Sequence, residues 1–154
     1  MTRLKKKGVK RNMLKGIPSI LSPELLKVLD EMGHSDEIVI ADGNFPGASH
    51  AQRLIRLDGH NVSEILDAIL QLFPLDRYVP APVALMEVVK GDPVVPVIWD
   101  DYKKIIAAHE DDIQIENIER FAFYERAKKA YAVITTSEKA LYANIILKKG
   151  VVTE

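Results

Sequence analysis

A histidine and an aspartate, His34 and Asp42, bracket one short apolar run at residues 38–41. Imidazole gives and takes a proton near neutral pH, and a carboxylate accepts hydrogen bonds from hydroxyls. Both residues also have plainer uses. His34 follows what reads as a helix end, where positive charge suits the dipole, and an aspartate after a strand often starts a turn. Arg120 and Tyr124 stand four apart, hence on one face of a helix. They offer a rigid set of donors and a phenol, or simply an amphipathic edge. Tyr142 and Asn144 flank Ala143; on a strand they would point to one side and could grip vicinal hydroxyls, whereas a turn before the strand is the alternative. The chemistry these types could do together is proton transfer on a small hydroxylated molecule.

Other chemistries find little support. The chain has no cysteine, which removes disulfides, thiolate nucleophiles and sulfur-bound zinc. His50, His60 and His109 lack metal-ligand spacing with any acidic cluster, and His109 reads as part of a solvated helix end. No phosphate-cradling glycine loop and no nucleophile elbow occurs. Trp99 reads as core or interface.

The elements that must position these residues alternate between helix and strand. Ser22 caps a first helix, Pro23 opens it, Leu25, Leu26, Leu29 and Met32 form its stripe, and Gly33 supplies a left-handed stop. Residues 38–41 predict a buried strand followed by a loop at 43–47. A second strand is expected at 52–57 and a second helix from a Ser63 cap to Pro74. A strand at 83–89, a loop from Lys90 to Pro96 and a helix from Val97 to His109 follow. Then come a strand at 113–118, a helix from Phe121 to Ala130, and two closing strands at 131–136 and 144–148. This alternation predicts an α/β fold, one three-layer domain with a central mixed β-sheet flanked by helices.

The 154 residues, 47% of them apolar, suit one domain with one sizeable core. A net charge of −1 gives no pull toward nucleic acid or an anionic membrane, and no apolar run approaches the ~20 residues that span a bilayer. Residues 1–12 are a basic arm, outside the domain expected at 13–154. A cytoplasmic location fits these features.

One difficulty stands out. Ligands of open α/β sheets bind beyond the carboxyl ends of strands, where Asp42 falls. His34 precedes the same strand and belongs at its other end, roughly 20 Å away for ~6 residues. A shorter strand, a loop folding back, or a neighbouring chain would each bring the two together.

The combination is familiar. SPELLKVLDEMGHSDEIVIADGNFP, IRLDG, FPLDRY, RFAFYERAKKAYAVITTSE and YANIILKKG occur in this order, from about Met13 to Val151. Together they resemble the D-ribose pyranase/L-fucose mutarotase family, on its L-fucose side. The resemblance implies interconversion of the α and β anomers of L-fucose by acid–base opening and reclosure of the pyranose ring, without cofactor or metal. It implies that His34 is the proton donor. Asp42, Asp76, Arg120, Tyr124, Tyr142 and Asn144 would hold the sugar. Such a reaction needs a second acid/base beside His34, and the chemistry of a phenol leaves that role to Tyr124 or Tyr142. The resemblance further implies a homo-oligomer, a ring-based decamer with sites at subunit contacts. A D-ribose pyranase and a non-catalytic sugar-binding accessory are the competing readings.

Overall fold

The computed structural model describes residues 13–153; the expected basic arm at 1–12 lies outside the described residues. Helix α1 (Pro23–Glu31) starts as its sequence predicts, with Ser22 Oγ accepting from the Leu25 amide at 3.2 Å. Its end differs. Met32 turns extended, and the positive φ falls on Ser35 rather than Gly33. The orphan carbonyls of the last turn are met instead by a distant side chain: Lys149 Nζ donates to Leu29 O at 2.7 Å and Met32 O at 2.6 Å.

Strand β1 (Glu37–Ala41) leads, through residues 42–46, into the one-turn helix α2 (Gly47–His50), where sequence predicts a loop. Strand β2 (Leu54–Leu57) precedes α3 (Val62–Leu70). That helix is capped by Asn61, in a reciprocal box with Glu64, and not by Ser63. Strand β3 (Val83–Met86) is shorter than predicted. Helix α4 (Ile98–His109), strand β4 (Ile115–Ile118), helix α5 (Arg120–Lys129), and strands β5 (Ala132–Thr136) and β6 (Ile145–Lys148) complete the chain. Glu119 starts α5 by accepting from the Phe121 and Ala122 amides. His109 is not merely solvated: its Nε2 meets Asp67 Oδ1 of α3 at 2.7 Å and joins the two helices.

The six strands run in the order β2-β5-β1-β6-β3-β4. All pairs are parallel except those of β6, which is antiparallel to both β1 and β3. The last two strands therefore enter the middle of the sheet. Their apolar runs match this, since a strand buried on both faces has no polar side. On one face Ile38, Ile40, Val83, Leu85, Ile145 and Leu147 pack under α1, α3 and α4. On the other Val39, Ala84, Val133 and Ile146 pack under α5 and the residues around α2, with Phe45, Phe123 and Ala127. The result is the expected three-layer arrangement with a mixed sheet. Because β6 runs against its neighbours, its first residue lies beside the last residues of β1 and β3. That reversal gathers the end of one strand and the start of another at a single edge.

Candidate active site

At this carboxyl edge lies a hollow of about 210 Å³. It is smaller than the ~300–1,000 Å³ of sites for drug-sized ligands and suits a single small ring. Its polar lining is Asp42, Asn44, Arg120, Tyr124, Tyr142 and Asn144, with Asp92. Phe45, Met86, Val89 and Leu141 supply the apolar part. Each polar group has a structural reason for being there. Asp42 follows β1 directly, and its amide donates to Asn144 Oδ1 at 2.7 Å, which orients the side chain just before β6. Asn144 is thereby left with its amide NH₂ to donate. Arg120 opens α5 and Tyr124 stands one turn on, both at the hollow as their spacing predicts.

Asp42 is buried, and its Oδ1 accepts from the Asn44 amide at 3.0 Å. Burial pushes its carboxyl above the usual range, and the amides of Asn44, Ala143 and Phe45 offset only part of that. Tyr142 is not on a strand. It occupies a turn at φ 58°, a backbone state unfavourable for a bulky residue. Two side chains of α4 hold that turn from the far side. Trp99 Nε1 donates to Tyr142 O at 2.8 Å, and the buried Tyr102 hydroxyl donates to Ala143 O at 2.6 Å. Trp99 is thus a partly buried support, in line with its reading as core. The Tyr142 hydroxyl donates to Asp92 Oδ2 at 2.6 Å, and this bond, above all, raises the phenol's pKa.

His34 and Asp76 do not line the hollow. They meet at the amino edge of the sheet, where His34 Nε2 lies 2.9 Å from Asp76 Oδ1. Facing a carboxylate, that nitrogen carries the proton. Asp76 is 2% exposed and the His34 side chain 43%, so a buried anion holds a surface imidazole. Burial alone would raise the Asp76 carboxyl. The Tyr78 amide and the His34 ring outweigh it and leave the group below its ordinary value. The Tyr78 ring meets His34 edge-on at 5.4 Å. Both loops hang from the end of β6: Asp76 N donates to Lys148 O and Ser35 N to Lys149 O. The five residues of β1 at ~3.3 Å each place about 16 Å between the two edges. The strand is a residue shorter than expected without closing the gap, and the loop at His34 does not fold back to the hollow of its own chain.

Asp92 escaped the sequence reading because it sits in a Gly/Asp/Pro loop. An aspartate in the loop after a strand's carboxyl end was the available signal. His50 touches the Tyr124 ring at 5.5 Å between centroids without lining the hollow. Among the described residues no cluster of His, Asp or Glu could hold a metal ion, and no helix is long and apolar enough to cross a membrane.

A polar hollow of this size at the carboxyl edge of a three-layer sheet defines a small-ligand α/β protein, and comparison places it more closely. The chain belongs to the RbsD / FucU transport protein family, whose model matches residues 15–152. It is 52% identical over 147 residues to the fucose mutarotase of Danio rerio, covering 91% of this chain and 95% of that protein. It is 51% identical over 140 residues to an L-fucose mutarotase of Actinobacillus pleuropneumoniae, covering 90% and 97%. The crystal structure of the Streptococcus pneumoniae fucose mutarotase in complex with L-fucose superposes with a TM-score of 0.88. It is 56% identical and covers 91% of this chain and 100% of that one.

Proposed function

We propose that this protein is an isomerase that interconverts the anomers of L-fucose by opening and reclosing the pyranose ring. The observation that carries the reading is the pairing of two half-sites on one chain. A hydroxyl-binding hollow without a histidine occupies one edge of the sheet, and a carboxylate-held, exposed histidine occupies the other. Relatives of about 50% identity that are named for fucose support this sugar over D-ribose.

The reaction needs an acid at the ring oxygen and a base at the anomeric hydroxyl. With both ring nitrogens protonated, His34 gives the Nδ1 proton to the ring oxygen as the bond from that oxygen to C1 breaks, and Nε2 keeps its proton toward Asp76. The anomeric hydroxyl loses its proton, and the open aldehyde results. Rotation about the first carbon–carbon bond turns the other carbonyl face to the hydroxyl, and both transfers reverse. Asp42, Arg120 and Asn144 hold distal hydroxyls and leave the reacting end free to turn, while Tyr124 or Tyr142 serves the anomeric oxygen. General acid–base help of ~10²–10⁴-fold on a reaction that already runs in water makes an effective catalyst.

One chain cannot bring His34 to its own hollow. The hollow of one copy therefore receives His34, with Asp76 and Tyr78, from the next. Such a contact joins unlike surfaces, and head-to-tail contacts that close make rings. Exposed apolar side chains support this at both edges, Tyr78 beside His34 and Phe121 and Leu141 beside the hollow. The ring-based decamer and a cytoplasmic location are parts of the same proposal.

Saturation-transfer NMR on L-fucose tests the reading, with D-ribose run in parallel. Exchange between anomers well above background is expected for L-fucose, and His34→Ala should return it to background while sugar still binds. Binding with background exchange in the wild type would make the protein a sugar-binding accessory instead.

A further inference from the structure

His34 has little packed around it. Its side chain is 43% exposed, with one hydrogen bond to Asp76 and one edge contact with the Tyr78 ring. Where the imidazole points therefore depends on the backbone that carries it. That backbone is fastened on both sides to a single residue, Lys149, which follows β6. Before His34, the Lys149 ammonium donates to Leu29 O at 2.7 Å and Met32 O at 2.6 Å. After His34, the Lys149 carbonyl accepts from the Ser35 amide and the Lys149 amide donates to Asp36 O, both at 2.8 Å. Asp36 closes the loop on itself by accepting from the Gly33 amide at 2.7 Å. A lysine that serves a helix end usually stands in the last turn of that helix. Helix α1 has no basic residue in its last turn, and the ammonium arrives from 117 positions beyond Met32.

We propose that the Lys149 ammonium is a positioning residue for the reaction, holding the stem of the His34 loop so that the imidazole projects correctly into the hollow of the neighbouring copy. This rests on the anomer-exchange reading above and on its shared site. Bonds from an ammonium are charge-assisted and stronger than those between neutral groups. They pin the Met32 carbonyl, the last peptide oxygen before Gly33. Glycine has the freest backbone of any residue, and here it lies between the pinned carbonyl and His34. Without the ammonium the main-chain bonds of Lys149 remain, but the stem can swing about Gly33. Displacement of a reacting group by ~1 Å costs up to ~10²-fold in rate. The hollow, at the other edge of the sheet, is not lined by Lys149 and keeps its own geometry.

The test uses Lys149→Met, with Lys149→Gln as the milder change, in the intact oligomer. Methionine keeps much of the stem without a donor, and glutamine keeps an amide donor on a shorter stem. Exchange of L-fucose anomers at saturating sugar should fall roughly 10–100-fold in Lys149→Met and less in Lys149→Gln, with affinity changed less than about threefold. A helix cap and nothing more predicts a lower Tm with exchange at the wild-type rate, and that result in both variants overturns the proposal. Co-refolded mixtures then locate the damage. Lys149→Met with Asn144→Ala should recover about a quarter of the wild-type rate, since one chain brings a sound hollow and the other a sound His34. Lys149→Met with His34→Ala should exchange no faster than Lys149→Met alone. If Lys149→Met does not fold, Lys149→Gln enters the same mixtures. Recovery with His34→Ala but not with Asn144→Ala would put the damage in the hollow and overturn the proposal. So would no recovery with either partner while the control mixture of His34→Ala and Asn144→Ala recovers. Failure of that control, or wild-type exchange at the spontaneous background, removes the parent reading and the proposal with it.

Discussion

Replacing Tyr102 by phenylalanine removes one oxygen that does not line the hollow, yet should damage the site. Tyr102 is fully buried in α4, and its hydroxyl donates at 2.6 Å to the carbonyl of Ala143, itself fully buried. Phenylalanine fills the same ring volume, so no cavity forms. What remains is an unpaired carbonyl, at a cost of about 1–3 kcal/mol. For a domain of this size each kcal/mol shifts Tm by ~2–4 °C, so a fall of about 2–12 °C is expected. The second effect is local. Ala143 lies between Tyr142 and Asn144, and its carbonyl is one of two anchors that keep Tyr142 at φ 58°. With one anchor gone the turn relaxes, and misplacement of a reacting group by ~1 Å costs up to ~10²-fold in rate. Scanning calorimetry and fucose exchange on the same sample give both numbers. A Tyr102→Phe protein that melts lower but exchanges fucose at the wild-type rate would refute the idea that α4 supports the turn. One that also melts normally would refute the value assigned to the buried bond.

Asp42→Asn should raise stability while weakening sugar binding. Burial raises the folded-state pKa of Asp42, so the native protein binds more protons than the unfolded chain between the two pKa values, and stability falls as pH rises through that window. Removing the charge relieves this at neutral pH, and calorimetry should show a higher Tm. Affinity for L-fucose should drop by roughly 10–100-fold as charge-assisted hydrogen bonds are lost; a lower Tm at pH 7 would contradict the sign. Asp76 has the opposite sign: its folded pKa is depressed, so the stability it contributes is present above the ordinary carboxylate pKa and is lost as pH falls through the folded value. Melting of wild type and Asp76→Asn should therefore converge in acid, and a gap that stays constant down to pH 2 would count against it. Gly150→Ala puts a methyl 2.5 Å from the Leu75 carbonyl oxygen, so the backbone beside Asp76 must move. Loss of exchange with sugar still bound is expected, and an unaffected rate would show that the loop yields without disturbing the His34–Asp76 pair.

Much of this site was legible in the chain. Arg120 and Tyr124 are placed by helical periodicity, which survives small errors in helix ends, and both reach the hollow. Asp42 was placed by the rule that open sheets bind ligands at their carboxyl edge, and the same rule exposed His34 as misplaced for a one-chain site. Tyr142 reached the expected hollow by an unexpected route. A two-residue strand period suggested a shared side with Asn144, whereas a left-handed turn held by Trp99 and Tyr102 does the work. Residues 42 and 102 positions apart had no local signature. The link from His34 to Asp76, from Asp42 to Asn144 and from Lys149 to the end of α1 all depend on β6 entering the sheet centre. Gly33 misled for that reason: Lys149 meets the helix carbonyls, and no left-handed glycine is needed.

The central claim is that each site is shared between copies, and mixing two inactive proteins tests it most directly. His34→Ala keeps the hollow, and Asn144→Ala keeps the histidine. In a ring assembled at random from equal amounts, a contact unites an intact hollow with an intact histidine in about one case in four, as head-to-tail association requires. Co-refolded mixtures should therefore exchange L-fucose anomers at about a quarter of the wild-type rate, where either parent alone is at background. A mixture as silent as its parents would contradict the account, since a site confined to one chain gains nothing from a neighbour.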